Sequence, residues 1–332
     1  MKISYISIIS GVGLFLLGGV VGGFFVYSRV TVIKPAQYRP VREANSSYKY
    51  IHPLLAYEVP QIEQDEYKAL KEQLNRIIQT NIKNKNVTTA SVYFRDLSNG
   101  RWIGINEEES YEPASLMKVA IMVAYYKLVE AGEINLQQTY VYQPVQQIAY
   151  ETPSVLVPGK PYSIAELIMY LTVKSDNGAK DLLLTHIPLP TLNSVYANLG
   201  IEQPAVGQDY KISAKNYALF LRILYNATYL NRQYSEEALE LLSHSEFKDG
   251  LAAGVPPTVL VAHKFGEKVN DDGQGHVVEQ EFHDCGIVYA PTGDYLLCVM
   301  TKGQEKEKLV GLIREISSQV YNDSLKKPTK IR

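Results

Sequence analysis

The chain has little cysteine and no excess of positive charge. Cys285 and Cys298 are its only cysteines in 332 residues. That is too few for a disulfide framework or a cysteine-rich zinc site. The formal net charge of −2 offers no basic surface for nucleic acid. Six histidines are scattered, with no H-x-x-x-H pattern or Cys–His cluster, so a metallohydrolase has no ligand set. No metal or organic cofactor is expected. There is no internal repeat. What is present is an ordinary apolar fraction of 46%, enough for a full core in one large domain or two small ones.

One stretch lacks charge altogether. Residues 3–27 carry no ionisable acid or base apart from tyrosine, and the run exceeds the roughly 20 residues that span a bilayer. A cleaved signal peptide would have a shorter apolar region, about 7–15 residues, followed by a small-x-small site. Here the run ends in Phe24-Phe25-Val26-Tyr27-Ser28-Arg29, so residues 1–29 read as an uncleaved single-pass anchor. Charge does not orient it: Lys2 favours one direction, and Arg29, Lys34, Arg39 and Arg42 the other. Residues 30–61 read as a stalk, broken by prolines 35, 40, 53 and 60. Within it, Tyr50-Ile51-His52-Pro53-Leu54-Leu55 is apolar enough to dock on the body, with His52 structural or exposed.

The body spans residues 62–323, followed by a basic tail at 324–332. Periodicity predicts an amphipathic helix over 62–82 and a hairpin of strands 87–97 and 101–105. A helix begins around Pro113 and ends near Ala131-Gly132. A mostly helical block follows, about 133–255, with helices over 164–173, 177–186, 189–199, 213–229 and 235–244. Ser163 and Glu166 read as a capping box for the first of these. Strands return at 258–262, 282–289 and 295–299, and a last helix covers 306–321. Strands from both chain ends thus form one antiparallel sheet around a helical insertion, an α+β (loosely α/β) architecture. A turn centred on Thr292-Gly293 sets Cys285 opposite Met300 and Cys298 opposite Ile287. The cysteines are then diagonal neighbours and read as small core residues rather than a disulfide.

Three short motifs carry the chemistry. In Tyr111-Glu112-Pro113-Ala114-Ser115-Leu116-Met117-Lys118, Pro113 suits a helix start. Ser115 and Lys118 are three apart and share a helix face. A serine beside free N-terminal N–H groups, with a desolvated lysine to take its proton, is an activated nucleophile. Ser175-Asp176-Asn177 follows between two helices, and His263-Lys264-Phe265-Gly266 lies at the end of a strand.

In this order and spacing the motifs resemble S-x-x-K, S-D-N and K-[TS]-G of the penicillin-binding protein and class A β-lactamase superfamily. The resemblance covers roughly residues 62–323 and implies the β-lactamase/DD-peptidase fold. It implies that Ser115 attacks an amide and that Lys118 is the base or proton relay. Ser175, helped by Lys264, protonates the leaving nitrogen, and Lys264 also attracts a substrate carboxylate. Asn177 binds the substrate amide and orients Lys118. The backbone N–H groups of Ser115 and Glu267 form the oxyanion hole, and Phe265 and Gly266 complete the substrate-binding strand. An aromatic flanking the cleft is supplied by Tyr150 or Tyr142. Asp176 reads as a loop-holding carboxylate.

Two departures stand out. The β-lactamases of this superfamily carry a deacylating Glu on a loop after S-D-N. Here that loop (residues 200–210) is short, has no E-x-x-L-N pattern, and offers only Glu202 and Asp209. Phe265 replaces a hydroxyl residue. The implied partner is a peptidoglycan stem peptide ending in D-Ala-D-Ala, or a β-lactam. The domain is expected outside the cytoplasm, tied to the cell membrane by its N-terminal helix. Penicillin-binding behaviour is expected over efficient β-lactamase action. The alternatives are a β-lactamase with a relocated base and an inactive cell-wall-binding protein on the same fold. The oligomeric state is not legible in the sequence.

Overall fold

A computed structural model describes residues 42, 48–54, 65–144, 152–204 and 209–326. The predicted anchor at residues 1–29 and Tyr150 lie outside these. Among the described residues no helix is long and apolar enough to cross a membrane.

Five antiparallel strands form the central sheet in the order β2-β1-β9-β8-β7. They are β1 (Thr89–Asp96), β2 (Trp102–Ile105), β7 (Leu260–Asp271), β8 (Val277–Tyr289) and β9 (Tyr295–Gly303). Both chain ends supply them, as expected. Alternation along each strand splits the sheet into two faces. On the outer face Val92, Phe94, Val261, Phe282, Leu297 and Val299 meet α1 (Lys68–Lys83) and a long C-terminal helix, Lys306–Ser324. On the inner face Tyr93, Ala262, Cys285, Ile287, Cys298 and Met300 meet the helical block.

At the centre of that block runs α2 (Lys118–Glu130), buried from Lys118 through Tyr126. A helix apolar on all sides must be enclosed on all sides. Here α3 (Ile164–Val173), α4 (Asn177–His186), α5 (Leu189–Asn198) and α7 (Arg232–Ser243) surround it. The expected capping box at Ser163 and Glu166 is formed. Short strand pairs tie the block together: β3 (Ser110–Tyr111) with β6 (Ile212–Ser213), and β4 (Thr139–Val141) with β5 (Pro161–Ser163). These strands are too short to leave a periodic trace in the sequence. Helix α6 (Ala214–Tyr225) starts directly after β6, capped by Ser213, and the C-terminal helix is α8.

The apolar segment around Tyr50 packs on the body, as its composition suggested. Tyr50 and Ile51 are buried. The Glu236 carboxylate accepts the backbone N–H groups of Lys49, Tyr50 and Ile51 at 2.6–3.0 Å. His52 stacks on Tyr225.

Two expectations are corrected. Cys285 and Cys298 form a disulfide. The β8–β9 turn is centred between Pro291 and Thr292, because Val288 pairs with Tyr295. Moving the turn centre by one residue moves the register by two, which sets Cys285 directly opposite Cys298. The second correction concerns β7, which continues to Asp271 instead of stopping near 262. Lys264, Phe265 and Gly266 therefore lie inside the strand. Its polar second half lacks the apolar alternation that marks a strand, yet it pairs with β8, because long-range pairing outweighs local propensity.

Candidate active site

Ser115 sits in a 3-10 turn, Ala114–Met117, that leads straight into α2. The nucleophile candidate is thus just ahead of the α-helix, not in its first turn. Ala114 has φ of +47°, a left-handed conformation that an L-residue holds only when its surroundings impose it. Those surroundings are tight. A Cβ on Gly266 of β7 would lie 2.6 Å from the Pro113 carbonyl oxygen. Only glycine therefore permits the edge strand to approach the Ser115 turn this closely. The Tyr217 hydroxyl of α6 donates to the Leu116 carbonyl at 3.2 Å.

Ser175 lies in the turn between α3 and α4, also with positive φ, at +56°. The fold brings two lysines onto its hydroxyl. Lys118 Nζ is 3.1 Å and Lys264 Nζ 2.8 Å from Ser175 Oγ. Lys118 also donates to the Ser175 carbonyl and, at 2.8 Å, to Asn177 Oδ1. Lys264 donates to the Phe265 carbonyl at 2.9 Å. Both lysines are buried, while Ser115, Ser175 and Asn177 are half-buried. Burial, reinforced by the neighbouring Lys118 charge, holds the Lys264 ammonium well below the usual lysine range, and Asp284 opposes this in part.

Asp176 holds the loop. Its carboxylate accepts from the Ala179 N–H, the Ser154 hydroxyl and the Val155 N–H, each at 2.8 Å. It caps α4 and pins residues 154–155 beside the site at once. Tyr142 stands on the same rim: a Cβ on Gly178 would meet its hydroxyl at 2.8 Å.

A serine on a turn before a buried helix, with two lysines meeting at a second serine, is an arrangement for acyl transfer. A family model described as "Beta-lactamase enzyme family" matches residues 69–323. The chain belongs to that family. It is a serine hydrolase of the β-lactamase type. Solved structures share the fold at low identity. A mutant of PBP-A, captured as an acyl-enzyme with penicillin G, is 22% identical with a TM-score of 0.65, over 81% of this chain and 100% of its own. A β-lactamase from Chitinophaga pinensis is 19% identical with a TM-score of 0.68, over 77% and 99%. The TLA-1 extended-spectrum β-lactamase is 18% identical with a TM-score of 0.66, over 77% and 99%. No curated protein matches the sequence.

Within this β-lactamase-family frame the two departures have structural form. Phe265 alternates away from Lys264, so its ring turns to the outer face. It packs on Phe247 and Phe282 at centroid distances of 4.6 and 5.9 Å, with Lys264 Nζ 4.1 Å from its centre. The ring buttresses the lysine from behind. The Glu267 side chain pairs with Lys306 at 2.6 Å, leaving only its backbone for the site. The connection from α5 to β6 is closed by the β3–β6 pair. Among its described residues the acids are Glu202 and Asp209, and both are exposed.

Sequence reasoning missed three groups that hold the Ser115 turn: Tyr217, Glu281 and His283. Glu281 Oε2 accepts the Glu112 N–H at 2.9 Å, and His283 Nε2 is 3.0 Å from the Glu112 carbonyl oxygen. The available signal was the period-two alternation that places 281 and 283 on the same face as Cys285.

Proposed function

We propose that this protein forms an acyl-enzyme on Ser115 with a β-lactam or a D-Ala-D-Ala-type amide, and that it acylates more readily than it deacylates. The observation that carries this reading is the convergence of Lys118 and Lys264 on Ser175 Oγ. Lys118, one helical turn from Ser115, takes the serine proton as Oγ attacks the carbonyl carbon. The N–H groups of Ser115 and Glu267 receive the developing oxyanion. With both lysines donating to Ser175 Oγ, the hydroxyl's own proton is free to point at the substrate. It passes to the leaving nitrogen as the C–N bond breaks. Lys118, which has taken the Ser115 proton, replaces it across its 3.1 Å contact with Ser175 Oγ, while Lys264 holds that oxygen in place. Asn177 fixes Lys118 and offers its amide to the substrate.

Deacylation needs a base that activates water. Glu202 and Asp209 are both exposed, so neither is enclosed as a water-activating base would be. That favours penicillin-binding or DD-peptidase behaviour over efficient β-lactamase turnover. We also propose that residues 1–29 anchor the protein in the cell membrane, that 30–61 form the stalk, and that the domain at 62–323 works outside the cytoplasm. The Cys285–Cys298 disulfide supports an oxidising compartment.

Intact-mass measurement of the full-length protein with benzylpenicillin tests the reading. A persistent adduct on the wild type, absent in Ser115→Ala, is expected. Rapid penicillin consumption without a persistent adduct would overturn the slow-deacylation reading. Neither adduct nor consumption would overturn the acyl-enzyme reading for this substrate class.

A further inference from the structure

The Ser115 turn begins at Glu112, and both faces of the Glu112 backbone are held by side chains from β8. Glu281 and His283 are two apart, so they project from the same face of the strand. Glu281 Oε2 takes the Glu112 N–H at 2.9 Å, and His283 Nε2 faces the Glu112 carbonyl at 3.0 Å. Both side chains are essentially fully buried, at 1% and 0% exposure. Buried polar groups in such numbers are retained only where each finds a partner.

The pair is itself fixed. The Thr301 N–H points at His283 Nδ1 at 3.3 Å. Nδ1 is then the acceptor, which places the ring proton on Nε2, facing Glu112. Lys302 Nζ holds the other Glu281 oxygen at 2.8 Å. Hydrogen bonds from His283 and Lys302 keep the Glu281 carboxyl below its ordinary range against the effect of burial. The Tyr111 ring meets the His283 ring edge-on at 5.4 Å, which closes the fourth side.

We infer that Glu281 and His283 are positioning residues for the nucleophile. Two residues after the clamped Glu112, Ala114 takes its left-handed φ of +47°, and Ser115 follows. Left alone, the segment would relax Ala114 toward ordinary backbone and carry Ser115 Oγ away from Lys118. Glu281 holds the N–H of the Tyr111–Glu112 peptide and His283 the C=O of the Glu112–Pro113 peptide, so the two peptide units flanking Glu112 are fixed and rotation about its φ and ψ is prevented. Neither side chain reaches the reacting atoms, so their effect is on geometry alone. The inference rests on the proposed acylation of Ser115 for its catalytic consequence and on the hydrogen bonds alone for its structural one.

Two readouts on the full-length protein separate these parts. The first is hydrogen exchange by mass spectrometry over peptides covering residues 112–116. His283→Leu and Glu281→Leu should each speed exchange there at least about tenfold, with β1 and α8 unchanged. The second is the rate of acylation by benzylpenicillin, resolved into non-covalent affinity and the acylation step. The acylation step should fall roughly 10–100-fold, as displacement of a reacting atom by about 1 Å produces, with affinity within about twofold. His283→Gln keeps a donor near the Nε2 position and should recover most of the loss. Unchanged exchange at 112–116 in both leucine variants would overturn the clamp. So would equal damage from His283→Gln and His283→Leu. If the wild type takes no label, the acylation reading fails, and the exchange data still decide the clamp.

Discussion

The two faces of the central sheet do different work. The outer face is a hydrocarbon layer against α1 and α8, in which Leu74, Ile78, Ile313, Ile316 and Val320 are fully buried. The inner face buries Lys118, Lys264, Glu281 and His283 among its apolar side chains. Burial of apolar surface stabilises, whereas burial of a charged or polar group costs free energy unless partners meet it. Lys264 and Phe265 show the division within one dipeptide: the lysine reaches the site, and the ring joins the outer aromatic cluster with Phe247 and Phe282. The outer face supplies the stability that the inner face spends on placing its polar groups. The outer face also buries one histidine–carboxylate pair, with His263 Nδ1 2.8 Å from Asp284 Oδ1 and the second Asp284 oxygen accepting the Leu251 N–H.

The sharpest way to separate the faces is to remove one group from each. Lys118→Ala should slow acylation by about 10²–10⁴-fold, the range for loss of a positioned base. Its thermal midpoint should fall only modestly, because relief from burying the amine offsets part of the cavity and of the donor lost to the Ser175 carbonyl and Asn177 Oδ1. The time course of adduct formation and a melting curve check both. On the outer face, Ile313→Ala should destabilise by about 2–5 kcal/mol through the cavity it leaves, with acylation per folded molecule unchanged. Urea titration alongside labelling at low urea reads the two quantities. Equal loss of activity in the Ile313 variant would erase the division.

Much of this plan was legible in the chain. Lys118, Ser175, Asn177 and Lys264 converge in space, with Ser115 on the turn just ahead of Lys118, and the order of strands, helices and strands forecast a sheet from both ends. These features rest on local signals: a proline before a serine, a capping box, an alternating strand. The remainder depends on pairing between distant segments. The polar half of β7 is a strand only because β8 lies beside it. The cysteine register hinged on a turn centre that moved by one residue. Glu281 and His283 read as unremarkable strand polars until the Glu112 peptide arrives, 169 residues away from Glu281 in sequence. The β3–β6 and β4–β5 ladders are too short for any periodicity to reveal.

The disulfide tests whether the inner face has a support of its own. Cys285 pairs with Lys264 across β7–β8 and with Cys298 across β8–β9, so the bridge lies in the same cross-strand row as the lysine. The loop it closes spans 13 residues in sequence, and loops of that size are worth about 3 kcal/mol in chain entropy. Cys285→Ala/Cys298→Ala should therefore lower stability by about that amount. It should also slow acylation modestly, several-fold, because the methyl groups leave slack behind Lys264. Chemical unfolding of the double variant, with labelling at low denaturant, measures both. A stability loss with no change in acylation would show that β7 is held by its pairing alone.

The smallest expected effect has the opposite sign. Burial and the Lys118 charge depress the folded pKa of Lys264. Between that lowered value and the ordinary lysine value of about 10.4, the unfolded chain binds a proton that the folded protein does not. Stability must then rise with pH across that window, and the burden imposed by the lysine must shrink as the ordinary value is approached. Lys264→Met keeps the side-chain length and removes the charge. It should be more stable than the wild type by on the order of 1–2 kcal/mol at pH 7, with the gap narrowing toward pH 10 and acylation falling sharply. Urea unfolding of both proteins across this pH range decides it. A gap that widened with pH would mean that the folded protein stabilises the ammonium. The convergence on Ser175 would then be a cationic clamp rather than a proton relay.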